Sequence, residues 1–151
     1  MTPIFPFSQN IIKRVRDMTQ DELMVGNWVQ YQGHAYQIEE ISRPSQKVTL
    51  GTTRAVRLVE IKDLEPLPLT KEILLRNDFE VDEEDENNLH MEYDGMWSVL
   101  WHPKETNYTR GSYSYVDIDH GCVMLNEMPC DSVHELQNAM ALCHCHWTIH
   151  L

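Results

Sequence analysis

The hydrophobic and polar positions change period several times along the chain, and each change marks an element. Thr19 and Glu22 stand three apart ahead of a short turn that closes at Gly26, the spacing of a capping box. From Asn27 the period becomes two. Trp28-Val29-Gln30-Tyr31 predicts a strand, Gln32-Gly33 a turn, and Ala35 to Ile41 a second strand. Tyr36, Ile38 and Ile41 do not share one parity, so this strand is expected to bend or bulge. Arg43-Pro44-Ser45 predicts a turn, Val48 to Leu50 a third strand closed by Gly51, and Arg54 to Ile61 a fourth. A one-turn helix over Ile61 to Pro66 then precedes an exit strand. Short strands joined by tight turns in so brief a stretch predict a small, bent, SH3-like barrel.

Pro66-Leu67-Pro68-Leu69 interrupts the pattern, because two prolines enforce extended backbone and end the element before them. Thr70 is expected to cap a helix over Lys71 to Arg76 that stops at Asn77, with Phe79 folding back onto Leu75. Glu80 to Asn88 reads as an acidic loop. Leu89 to Tyr93, Met96 to His102, Tyr113 to Ile118 and Cys122 to Leu125 predict an antiparallel meander, with Asp94-Gly95 as a hairpin turn and 103–111 as a loop. Ser132 and Glu135 form a second capping box, opening a helix to about Leu142 whose buried stripe is Val133, Leu136, Met140 and Cys143. At the end Cys145, Trp147, Ile149 and Leu151 alternate with His146, Thr148 and His150, as in a terminal strand with one buried face. The expected fold is therefore α+β: an extension (1–18), an SH3-like barrel (19–69), and an α+β half (70–151) that packs with the barrel or beside it.

Charge divides the chain at the same place. The 151 residues carry 12 Lys+Arg and 24 Asp+Glu, a formal net charge of −12. Residues 1–70 are balanced, 8 basic against 8 acidic, whereas 71–151 hold 4 basic and 16 acidic, the whole excess. An acidic surface repels phosphate backbones and anionic headgroups, so nucleic acid is disfavoured as a partner of the second half. No apolar run is long enough to span a bilayer, and the N-terminus lacks a secretory pattern. The four cysteines, Cys122, Cys130, Cys143 and Cys145, lack disulfide-framework spacing. Together these predict a cytoplasmic location with reduced thiols and no membrane partner.

Several segments, taken together, carry a resemblance. Val25-Gly26-Asn27-Trp28-Val29, Pro66-Leu67-Pro68-Leu69-Thr70 and Val133-His134-Glu135-Leu136-Gln137-Asn138 resemble a family of small uncharacterised proteins of Bacteroidetes and their phages and mobile elements, over roughly Met18 to Leu151. The resemblance implies a phage or mobile-element origin and assigns no catalytic residue. This chain departs from the family pattern in residues 1–17 and in the Leu142-Cys143-His144-Cys145-His146 run, where relatives carry a Thr-Gly type turn.

Candidate chemistry is sparse. Cys143, His144, Cys145 and His146 are metal-ligating residue types. Side chains of an extended segment alternate faces, so only Cys143 with Cys145, or His144 with His146, can share an ion. Further ligands would have to come from residues such as Cys122, Cys130, His120 or His134. The plainer reading is two half-buried thiols beside an outward histidine row. His134-Glu135 matches the start of a zincin helix, but position 138 is Asn and the motif fails. No nucleophile elbow, Walker loop or dinucleotide glycine pattern occurs, so no catalytic residue, enzyme activity or cofactor is assigned.

The leading expectation is a non-enzymatic interaction protein that binds a protein partner. Tyr31, Tyr36, Arg43, Arg54 and Arg57 are its candidate surface; the aromatic set Trp28, Tyr31 and Tyr36 suits either a peptide groove or the core, and for Trp28 the core is the better assignment. Two alternatives remain open: an acidic mimic that inhibits a nucleic-acid-binding protein, and a metal-binding protein built on the C-terminal Cys/His run.

Overall fold

A computed structural model describes residues 18–51, 56–104 and 113–151. These hold two antiparallel five-stranded sheets and two α-helices, with the chain dividing into two compact units between Pro66 and Leu67. No described helix is long and apolar enough to cross a membrane. The expected extension over 1–17, Arg54 at the head of the fourth strand, and loop residues 105–111 lie outside the described residues.

In the first unit a 3-10 turn at Gln20–Glu22 is held by the Glu22 carboxylate, which accepts from the Thr19 N–H at 3.0 Å. Strands β1 (Trp28–Tyr31), β2 (His34–Ser42), β3 (Lys47–Gly51) and β4 (Val56–Glu60) follow as a meander. Gln32 (φ 51°) and Gly33 (φ 82°) form the left-handed pair that a tight hairpin requires. The bend expected in β2 is a shift of register between Ile38 and Glu40. A second 3-10 turn at Ile61–Asp63 leads into β5 (Glu65–Pro66), which pairs with β1. The sheet order is β4-β3-β2-β1-β5, with β4 and β5 at opposite edges, and no closed barrel is found among the described residues. Val29, Ile38, Val48 and Leu50, each no more than 1% exposed, form the centre of the core, and Tyr31, Tyr36 and Ile41 pack partly against it.

The second unit starts with Thr70 capping α1 (Lys71–Leu75) through a bond from the Ile73 N–H at 3.2 Å. Strands β6 (Glu80–Val81), β7 (Leu89–Tyr93), β8 (Trp97–His102), β9 (Tyr115–Asp119) and β10 (Met124–Pro129) form the expected meander in the order β10-β9-β8-β7-β6. Asp94 (φ 54°) and Gly95 (φ 67°) form the β7–β8 turn. Helix α2 (Val133–Leu142) packs on β9 and β10. Its capping box is complete: Ser132 Oγ accepts from the Glu135 N–H, and the Glu135 carboxylate accepts from the Ser132 N–H at 3.0 Å. The stripe Val133, Leu136, Met140 and Cys143 is buried as expected.

Three expectations are corrected. The acidic segment is not all loop, since Glu80 and Val81 pair with His90 and Leu89 as an edge strand. Strand β10 does not stop at Leu125. It continues to Pro129 past an irregularity where Glu127 takes φ 56° and turns its N–H onto Asp117 Oδ1 at 2.7 Å. Phe79, 3% exposed, meets Trp147 edge-on at 5.8 Å between centroids. The C-terminal residues bury Cys145, Trp147 and Ile149 in alternation but form no strand, and Leu151 is exposed. Their backbone partners belong to the α1 exit: Asn77 Oδ1 accepts from the His150 N–H at 2.7 Å, and Asn77 Nδ2 donates to the His150 carbonyl at 2.8 Å.

Candidate functional site

Two regions hold the residues that the sequence singles out, one in each unit. In the first unit, register decides which face each side chain takes. Trp28 opposes Gln37 across β1–β2, and Gln37 opposes Gly51 across β2–β3, so the three form one row. On the other face Val29 opposes Tyr36 and Ile38 opposes Leu50, with Val29, Ile38 and Leu50 buried and Tyr36 half-buried against them. Alternation therefore puts Trp28 on the outer face of the sheet. This corrects the assignment of Trp28 to the core, because its neighbour Val29, 0% exposed, occupies the inward position.

On that face lies an open groove of about 590 Å³, lined by Trp28, His34, Ala35, Tyr36, Gln37, Glu39 and Gly51. Tyr36 opposes Val29, so its side chain turns to the core side, where its ring meets Tyr31 edge-on at 6.3 Å. Glu39 sits at the register shift of β2, with its side chain directly over Gly51. A Cβ at position 51 would overlap the Glu39 carboxylate, so the glycine leaves the room that the carboxylate uses. Among the described residues no ion pair neutralises Glu39. The groove thus combines the Trp28 ring, the Gln37 amide and the Glu39 carboxylate.

Of the surface residues read from sequence, Tyr36 borders the groove, but its side chain, like that of Tyr31, packs half-buried against the core. Arg43 is exposed in the β2–β3 turn, with Nη1 3.5 Å from the Gln20 carbonyl. Arg57 is exposed on β4, and Arg54 lies outside the described residues. The arginines that are described do not line the groove. Gln37, Glu39 and Gly51 are the lining residues that sequence reasoning missed. The irregular parity of Tyr36, Ile38 and Ile41 was the signal that a bulge would redirect one of the intervening side chains.

In the second unit the Cys/His run straddles the end of α2. Cys143 is the C-cap, and its N–H bonds to Ala139 and Met140 carbonyls. His144 takes φ 59°, the left-handed residue that lets the chain leave the helix, and the Cys145 N–H returns to the Met140 carbonyl at 2.9 Å. Cys143 and Cys145 point inward and are buried, while His144 and His146 are exposed. Trp97 Nε1 donates to the Cys143 carbonyl at 3.2 Å. Among the described residues no three His, Cys, Asp or Glu side chains converge as a metal site would require.

The thiols are chemically quiet. Burial pushes the Cys143 thiol up, with Cys145 adding to it. Burial also raises Cys145, against a backbone hydrogen bond from Trp147 that lowers it, and Asp94 raises it further. Cys130 is raised most plainly, by burial and then by the charges of Glu135 and Asp131. Only Cys122 is exposed.

Ser132 and His134 invite a catalytic reading, with Oγ 3.1 Å from Nδ1. Ser132 Oγ, however, donates to Glu135 Oε1 at 2.9 Å, and both Ser132 and His134 are buried. With the hydroxyl proton committed to Glu135, the imidazole Nδ1 is the donor in this pair, and the trio closes a helix cap. On the outer face of the second sheet, His102 Nε2 lies 3.1 Å from Asp117 Oδ2 and its ring stacks on Tyr115 at 4.1 Å. This is an orienting pair with no nucleophile in contact among the described residues. No protein-family model, no curated protein and no solved structure matches the chain.

Proposed function

We propose that the chain is a non-enzymatic protein-interaction module whose first unit is SH3-like and binds an extended segment of a partner protein in the Trp28 groove. The SH3-like reading is supported by the strand order β4-β3-β2-β1-β5 and by the 3-10 turn that immediately precedes β5. The observation that carries the binding reading is the place of Trp28. A large apolar ring stands on the outer face of a sheet whose opposite face already has a filled core, and it lines an open groove. Aromatic-lined grooves bind extended peptides because rigid rings bury much area for little lost conformational freedom.

Display selection of linear peptides on the immobilised chain tests this, with Trp28→Ala as the counter-target. Peptides retained by the wild-type chain and lost on the variant support the reading. Peptides retained equally by both, or none retained, refute it. The resemblance to proteins of phages and mobile elements adds a context, and genes of that kind beside this one would support it.

A further inference from the structure

Resting on the peptide-binding reading, we infer that the groove receives a cationic side chain, Lys or Arg, of the bound segment, held by the Trp28 ring with Glu39 as its counter-charge. Three observations converge. The Trp28 ring lies on the outer face of the sheet and lines the groove. A cation is attracted to aromatic faces, most strongly to indole. The Glu39 carboxylate lines the same groove, without an ion-pair partner among the described residues.

The carboxylate is also accommodated by a specific backbone feature. Glu39 lies where a Cβ at position 51 would be, and Gly51 has no positive φ that would by itself demand glycine. An anionic ligand would meet uncompensated repulsion from Glu39, and a neutral apolar one would bury the carboxylate unpaired. A Lys or Arg side chain avoids both penalties, since its stem covers the Trp28 ring and its head meets the carboxylate.

The test uses the full chain and three small probes: n-butylammonium, n-butylguanidinium and neutral n-butylurea. Binding is read from the Trp28 indole N–H and the amide signals of residues 34–39 by NMR. The cationic probes should shift these signals with affinities about three- to tenfold above n-butylurea. Glu39→Gln should erase that preference, and so should Gly51→Ala, by displacing the carboxylate rather than removing it. Equal binding of n-butylurea, or cation-induced shifts confined to the acidic second half, would overturn the inference. The peptides selected above separate the two claims. Trp28-dependent peptides that lack Lys and Arg and ignore Glu39→Gln would leave the binding reading standing and sink the charge assignment. Failure to select any peptide would sink both.

Discussion

Asn77 holds His150 by its backbone, accepting from its N–H at 2.7 Å and donating to its carbonyl at 2.8 Å. One carboxamide thus supplies both hydrogen bonds that a neighbouring strand residue would supply. Asn77 Nδ2 also donates to the Ile73 carbonyl at 2.8 Å, which ties the clamp to α1. The next residue adds to it, since Asp78 Oδ2 accepts from Trp147 Nε1 at 3.1 Å. The C-terminal residues are therefore docked by two consecutive side chains, and their alternating burial follows from that docking.

Asn77→Ala removes all three bonds at a site only 4% exposed, leaving backbone groups without partners. It should cost about 2–3 kcal/mol of stability by urea unfolding. Amide exchange at His150 should rise sharply while exchange in β7 to β9 keeps its order. Unchanged protection at His150 would contradict the clamp.

The four thiols should separate by exposure. At pH 8, iodoacetamide should modify Cys122 rapidly and leave Cys130, Cys143 and Cys145 unmodified, because these three are buried and held in the thiol form. Unfolding in urea should expose all four. Mass spectrometry showing rapid native-state labelling at Cys143 or Cys145 would refute the packing at the end of α2.

The same shifts set a dependence on pH. A thiol raised in the folded state keeps its proton where the unfolded chain has lost it. Its contribution is intact below the usual value of 9.0 and is lost as pH rises from there toward the folded value. For Cys130 the loss approaches about 1.4 kcal/mol per pH unit within that window. Urea midpoints measured in reductant between pH 8 and 10.5 should fall less steeply in Cys130→Ala than in the wild-type chain. Parallel slopes would show that this thiol does not titrate differently on unfolding.

His144 is a β-carbon-bearing residue at φ 59°, in the position where helices favour glycine. His144→Gly should therefore raise stability by about 0.5–1 kcal/mol. A loss of stability would mean that the imidazole makes a contact worth more than the strain it carries.

The elements legible in the sequence are those written in local chemistry. Gln32-Gly33 and Asp94-Gly95 supply left-handed turns, Thr70 and Ser132 cap helices, and the Ser132–Glu135 spacing marks where α2 begins. What escaped depends on residues distant in the chain. The alternation of Cys145, Trp147 and Ile149 encodes a buried face, but not that the backbone partner is Asn77, 73 residues away. Trp28 looks like core because it is large and apolar, yet its face is decided by the parity of Val29 and by pairing with Gln37. The Glu39–Gly51 contact requires knowing both the β2–β3 register and its irregularity. The candidate site was thus only partly legible: the sequence pointed to the aromatic residues of β1 and β2, while the faces they take, the carboxylate and the glycine beside it emerged from the fold.

The most direct test of the account compares affinities for one selected peptide by titration calorimetry. The wild-type chain, Trp28→Ala and Leu58→Ala are the three proteins. Leu58 is 64% exposed on β4 and does not line the groove, so it controls for loss of any exposed apolar side chain from this sheet. The account predicts at least about a tenfold loss for Trp28→Ala, the scale of an aromatic hot spot, and a change within about twofold for Leu58→Ala. Equal affinities for Trp28→Ala and the wild-type chain would contradict it.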